Sequence, residues 1–301
     1  MTVRLAAIQA APKLFDREES LTRFEYWLQQ AADDNVDLAV FPEAFLGGYP
    51  KGVDFGARVG SRDMPGRELF QRYFETSFAV DGPEFAQAKA AIGEAGINVV
   101  VGMIEPVGST LYCSAATIDR RGELIGLHRK LIPTAMERLL WGNGGPDTMQ
   151  VARADVGVVS SAICWENYMT AYRQHLYEQG AEFYCAPTVD DRVVWTPSMQ
   201  MIALEGRCFV ISACQYMTRA DVADDADYNA IQGDAPETVL INGGSSIISP
   251  LGEIVAGPIA GKSTMVTADI DKGEITRGKF DMDVAGHYAR PDIFDLQVRK
   301  K

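Results

Sequence analysis

GVVSSAICWENYM, residues 157–169, opens as an apolar run and ends on Cys164, with Trp165, Glu166 and Asn167 directly after it. The run reads as a buried strand, because strands covered on both faces lose the polar alternation of half-exposed ones. The residues beyond Asn167 take up helical spacing. A strand that stops on a thiol at a strand-to-helix turn puts a nucleophile where α/β sheets gather their ligands, at the carboxyl ends of strands. A cysteine there is also a common small core residue, so the stretch has to be weighed with the rest of the chain.

Outward from it, strand and helix patterns alternate. VRLAAIQA (3–10) reads as a strand, and SLTRFEYWLQQAADD (20–34) as a helix with Ser20 as a cap. DLAVFPE (37–43) is a strand stopped at Pro42, and PEFAQAKAAIGEAG (83–96) a helix with Pro at its start and Gly at its end. INVVVGMIE (97–105) is a strand, and LYCSAATID (111–119) with LIGLHRK (124–130) a hairpin. EFYCAP (182–187) and CFVISACQY (208–216) are strands around the helix TPSMQMIALEGR (196–207). SSIISPLGEIVAGP (245–258) is a second hairpin and STMVTADID (263–271) a last long strand. The acidic stretch 217–244 reads as a surface loop. β-α units and hairpins in one chain point to a layered α/β fold whose sheets are mixed rather than purely parallel.

With 301 residues, 47% hydrophobic, the chain can bury a sizeable core, and no linker or composition break divides residues 1–301, so one domain is expected. A formal charge of −13 disfavours a nucleic-acid partner. The N-terminus lacks the order of a signal peptide, and no run approaches the ~18 apolar residues of a membrane span. The five cysteines, at 113, 164, 185, 208 and 214, are odd in number and form no Cys-x-x-Cys pair. That favours free thiols in a reducing compartment, the cytoplasm. Cys113, Cys185, Cys208 and Cys214 are read as packed core. No metal signature occurs, and no cofactor is implied. AGPIAGKST (256–264) approaches a phosphate-binding loop, but Ala256 replaces the first required Gly and the stretch joins two strands.

Two further strand tips carry reactive side chains: Glu43 in VFPEAFLGGYP and Lys130 in LHRKLIPT. With Cys164 they make a set suited to nucleophilic catalysis. A neighbouring ammonium or a helix N-terminus lowers a thiol pKa. A carboxylate accepts the thiol proton and later activates water, and the ammonium stabilises charge developing on the substrate. The three histidines, His128, His175 and His287, lie in no signature beside the cysteine. Glutamate is therefore the expected base.

In these stretches the chain resembles the nitrilase superfamily, the carbon–nitrogen hydrolases with a Glu-Lys-Cys triad. FPEAFLGGYPKG, HRKLIPTAMERLLWGNG and AICWENYM match its three motifs in order. APTVDDRVVW (186–195), MIALEGRCFVISACQY (201–216), GGSSIISPLGEIVAGP (243–258) and GHYARPD (286–292) extend the likeness along nearly the whole chain. The resemblance implies Glu43 as general base, Lys130 as charge stabiliser, Cys164 as nucleophile and a second glutamate at Glu137. It implies a four-layer αββα sandwich, usually dimerised, and a small nitrile and water as reactants. Cys-Trp-Glu-Asn, Glu-Arg before Trp-Gly-x-Gly, and Gly-Gly-Tyr-Pro resemble the nitrilase branch in particular. An amidase or carbamoyl hydrolase with the same triad is the alternative enzyme, and a non-catalytic small-molecule-binding member of the fold the alternative class. Trp165, Tyr49, Trp141 and Trp195 are candidate substrate-binding residues, and loop residues around 49–60, 138–145 and 190–195 are expected to set selectivity. Glu166 reads equally as a pocket residue or a cap. Thr170 stands where the branch usually has Pro.

Overall fold

A computed structural model describes residues 1–226, 228 and 232–299. The first half of the chain forms β1 (Thr2–Gln9), α1 (Arg17–Asp33), β2 (Leu38–Val40), α2 (Met64–Glu75), α3 (Pro83–Ala95), β3 (Asn98–Val107), β4 (Thr110–Ile118) and β5 (Leu124–Arg129). The second half adds β6 (Ala152–Arg153), β7 (Val158–Ser161), α4 (Thr170–Glu178), β8 (Phe183–Thr188), α5 (Trp195–Gly206) and β9 (Phe209–Cys214). It closes with β10 (Tyr216–Thr218), β11 (Val239–Ile248), β12 (Ile254–Ala260), β13 (Thr264–Asp271) and α6 (Gly273–Gly278).

Two sheets result. One runs β13-β1-β2-β3-β4-β5, the other β10-β11-β9-β8-β7-β6 with β12 on β11. Each is mixed: β1, β2 and β3 are parallel, as are β7, β8 and β9, and hairpin strands flank both trios. Residue parity explains how they stack. Side chains alternate across a strand, so Val3, Leu5 and Ala7 of β1 face one core and Ala6 and Ile8 another. Phe209, Ile211 and Ala213 of β9 share the core of Leu5, whereas Val210 faces a third. The shared core therefore lies between the sheets. Phe24 and Leu28 of α1 with Phe85 and Ile92 of α3 cover one outer face, and Leu176 of α4 with Met199 and Ile202 of α5 cover the other. The order is helix, sheet, sheet, helix: the αββα sandwich.

Four local readings are corrected. The cap of α1 is Asp16, whose Oδ1 accepts from Glu19 N at 3.0 Å, while Ser20 Oγ turns back to the carbonyls of Lys13 and Asp16. Residues 64–75, given no element by the sequence, form helix α2, whose Leu69, Phe70, Tyr73 and Phe74 share one face and pack against the core between the sheets. The turn after the nucleophile is a 3-10 turn, Cys164–Tyr168, and the α-helix starts only at Thr170. The segment 217–244 is not a free surface loop: Val222 bridges to Leu14, Leu14 N donates to Asp221 O at 2.8 Å, and Leu240 and Ile241 are buried. The part of that reading on residues 227 and 229–231 lies outside the described residues. Among the described residues, no helix is long and apolar enough to cross a membrane.

Candidate active site

Glu43, Lys130 and Cys164 each follow the last residue of a strand by one to three positions, β2, β5 and β7 respectively. β5 returns through the β3–β4–β5 meander in the direction of β3, so the tips of β2 and β5 emerge at the same end of their sheet. β7 brings the cysteine from the other sheet. All three side chains are buried. Lys130 Nζ donates to Glu43 Oε1 at 2.6 Å and to Glu137 Oε2 at 2.8 Å, and lies 5.7 Å from the centre of the Trp141 ring. An ammonium has three donors; these two bonds leave one for a reacting group. Thr188 Oγ1, at the end of β8, donates to Cys164 Sγ at 3.3 Å.

The backbone is shaped around these contacts. Cys164 takes φ +52°, a left-handed conformation that costs a non-glycine residue about 1–2 kcal/mol. Asn167 holds it there, with Nδ2 donating to the carbonyls of Ala162 (2.9 Å) and Cys164 (2.7 Å). Glu166 is both cap and brace. Its carboxylate accepts Ile163 N at 2.7 Å, Leu131 N at 2.6 Å and His128 Nε2 at 3.0 Å, tying the turn of the nucleophile to the tip that carries Lys130. Behind Glu43, a Cβ on Gly102 would lie 2.3 Å from Pro42 O and 2.6 Å from Glu43 Cα, so β3 presses directly on the turn of the base.

Burial sets the electrostatics. It raises the Glu43 pKa above 4.5, Lys130 opposes that and Glu137 adds to it. Burial works against the charge of Lys130, but Glu43, the cysteines and Glu137 together hold its pKa well above the ordinary value. Burial and then the Glu43 charge push the Cys164 thiol up, against the smaller downward pull of Lys130. Lys130 does pull the thiol down, as the sequence suggests, but less than burial and Glu43 push it up. These directions favour the thiol and the ammonium, so the thiol proton needs a base to leave.

The aromatic candidates separate. Tyr49 OH donates to Glu137 Oε1 at 2.9 Å and its ring packs edge-on against Trp141. Trp165 is half-exposed beside the nucleophile, with Nε1 on Asp190 Oδ2 at 2.8 Å and the Arg192 guanidinium 4.8 Å from its ring centre. Trp195 is not brought to the triad: it is buried at the start of α5, its Nε1 on Ser212 Oγ at 2.8 Å. A cavity of about 310 Å³ lies against Tyr49 and Glu137, walled by Val53, Met136 and Leu140. A second of about 430 Å³, lined by Phe55, Phe70, Arg62 and Arg67, adjoins it at Asp54 and Leu140. Loop 49–60 thus lines both cavities, with Leu139 and Leu140 of loop 138–145, Met136 and residues of α2 completing the walls. Thr188, Gly102 and Cys113 went unread as site residues. Only Gly102, a lone glycine inside a strand pattern, carried a signal of close backbone approach.

Residues 4–280 match the model of the carbon-nitrogen hydrolase family. The chain is 50% identical over 297 residues to a nitrilase of Bradyrhizobium diazoefficiens, covering 99% of this chain and 92% of that one. It is 47% identical to an aliphatic nitrilase of Sinorhizobium fredii, covering 98% and 95%. Its fold is similar to the crystal structure of a carbon-nitrogen hydrolase from Helicobacter pylori, with a TM-score of 0.73, 16% identity and 94% coverage of both chains.

Proposed function

The chain belongs to the carbon-nitrogen hydrolase family, and from that premise we propose that it is a nitrilase, converting a small organic nitrile and water to the carboxylic acid and ammonia. The observation that carries the reading at this site is the buried Glu43–Lys130–Glu137 bond set beside the Cys164 thiol. Glu43 takes the thiol proton as Sγ bonds the nitrile carbon, and one C–N π pair moves to nitrogen. The free N–H of Lys130 meets that developing charge. Glu43 passes the proton to nitrogen and a thioimidate forms. It then takes a proton from water, whose oxygen adds to the same carbon. Protonated nitrogen leaves as ammonia, giving a thioester, and a second water releases the acid and restores the thiol. Glu137 orients Lys130. Trp165 and Trp141 are read as flanking the nitrile, and Tyr49 as acting through Glu137.

One sandwich contributes all three catalytic residues, which supports a single catalytic domain over 1–301. Five free buried cysteines support a cytoplasmic home. Met201 and Leu204 of α5 and the neighbouring Leu251, all exposed, support a homodimer or higher oligomer. The test is turnover of aliphatic and aromatic nitriles, following ammonia, acid and amide. Ammonia and acid that vanish with Cys164→Ala are expected; turnover of amides but of no nitrile would refute the nitrilase reading.

A further inference from the structure

Cys113 is a core residue by sequence, yet β4 places its thiol at the catalytic carboxylate. Cys113 Sγ lies 3.6 Å from Glu43 Oε1, within reach of an S–H donor, and Cys113 O accepts Lys130 N at 2.8 Å. Oε1 therefore receives two donors, Lys130 Nζ and the Cys113 thiol. The other oxygen, Oε2, is buried with no hydrogen-bond partner among the described residues. A buried carboxylate oxygen without a donor is costly, and here it is the one left free to gain a proton.

We propose that Cys113 is a positioning residue that, with Lys130, holds Glu43 by Oε1 and so assigns Oε2 as the oxygen that takes the proton of Cys164. The step breaks the Cys164 S–H bond, forms O–H on Oε2 and S–C to the nitrile carbon, and moves one π pair to nitrogen. Cys113 undergoes no chemistry; its S–H bond persists throughout. Burial and then the Glu43 charge raise its thiol well above the ordinary range, which keeps it a donor. The other titratable groups around Glu43 are Lys130, Glu137 and Cys164, with Tyr49, Tyr73 and Cys214 acting at longer range.

The inference rests on Glu43 being the base of the nitrilase reaction, and the test separates the two. The full chain and its Cys113→Ala, Cys113→Val and Cys113→Ser variants are assayed for kcat/KM across pH on one turned-over nitrile. A donor to a carboxylate favours its charged form. Both donor-less variants are thus expected to move the acid limb up by about half to one pH unit. Val fills the space that Ala vacates, so one donor-less variant remains if the other fails to fold. Unmoved limbs in Ala and Val overturn the role of Cys113; Ser, whose shorter Cβ–O bond draws its donor back from Oε1, is expected to shift no more than they do. A chain with intact Cys113 that hydrolyses no nitrile overturns the nitrilase reading instead.

Discussion

Among the described residues, the hydrogen bonds of Tyr49 reach the triad only through Glu137, and those of Glu137 only through Lys130. Tyr49→Phe keeps the ring against Trp141 and deletes the donor. A bond to a charged acceptor contributes about 1.5–3 kcal/mol, so kcat is expected to fall at least tenfold with KM little changed; a rise in KM alone in steady-state kinetics would instead place Tyr49 on the substrate. As the proposed base, Glu43 must be ionised to accept the thiol proton, and burial raises its pKa, so activity is expected to disappear as pH falls through a limb above the usual carboxylate range. The charge of Glu137 contributes to that raising. Glu137→Gln is therefore expected to give a lower plateau whose acid limb moves to lower pH, read from the same pH profile. At this scale the three strand tips were legible because each ends an apolar run, and their reading as a catalytic set came from the family resemblance. Cys113, Thr188 and the Glu166 brace were not legible, because their roles depend on which strands become neighbours, and a linear pattern does not carry that.

Among the elements, β3 does the most to place the base. Gly102→Ala would drive a methyl into Pro42 O and Glu43 Cα. Overpacking of this kind costs about 1–3 kcal/mol, and a displaced base is expected to lower kcat at least a hundredfold; denaturant midpoints and turnover measure the two effects. The converse applies to α4, where Thr170 is the exposed first helical residue, a position at which Pro fits. Thr170→Pro is expected to stabilise by about 0.4–1 kcal/mol with activity kept, seen as a higher Tm. Element legibility followed punctuation. Helix α3 was readable from Pro83 and the left-handed Gly96 that ends it. Helix α2 likewise has Asp63 and Pro65 at its start and Leu69, Phe70, Tyr73 and Phe74 on one face, signals the sequence reading passed over. The αββα order itself rests on the family resemblance, since mixed strand patterns fit several layered folds.

The whole molecule matters because the triad is divided between two sheets. Glu43 and Lys130 belong to one, Cys164 to the other, and Glu166 joins them. Glu166→Ala would orphan the buried Ile163 N–H, the partly buried Leu131 N–H and His128 Nε2. The expected loss is about 3–5 kcal/mol of stability in chemical denaturation, together with activity. The division also shapes what surrounds the reaction: Glu43 and Glu137 share the one ammonium of Lys130. With both carboxylates ionised, the chamber holds one more negative charge than positive. A nitrile enters such a space uncharged. The acid made there becomes an anion as it forms, and is repelled by the carboxylates that made it. Product should therefore leave readily and inhibit weakly at neutral pH, and inhibit more strongly as acidity neutralises both the acid and Glu43.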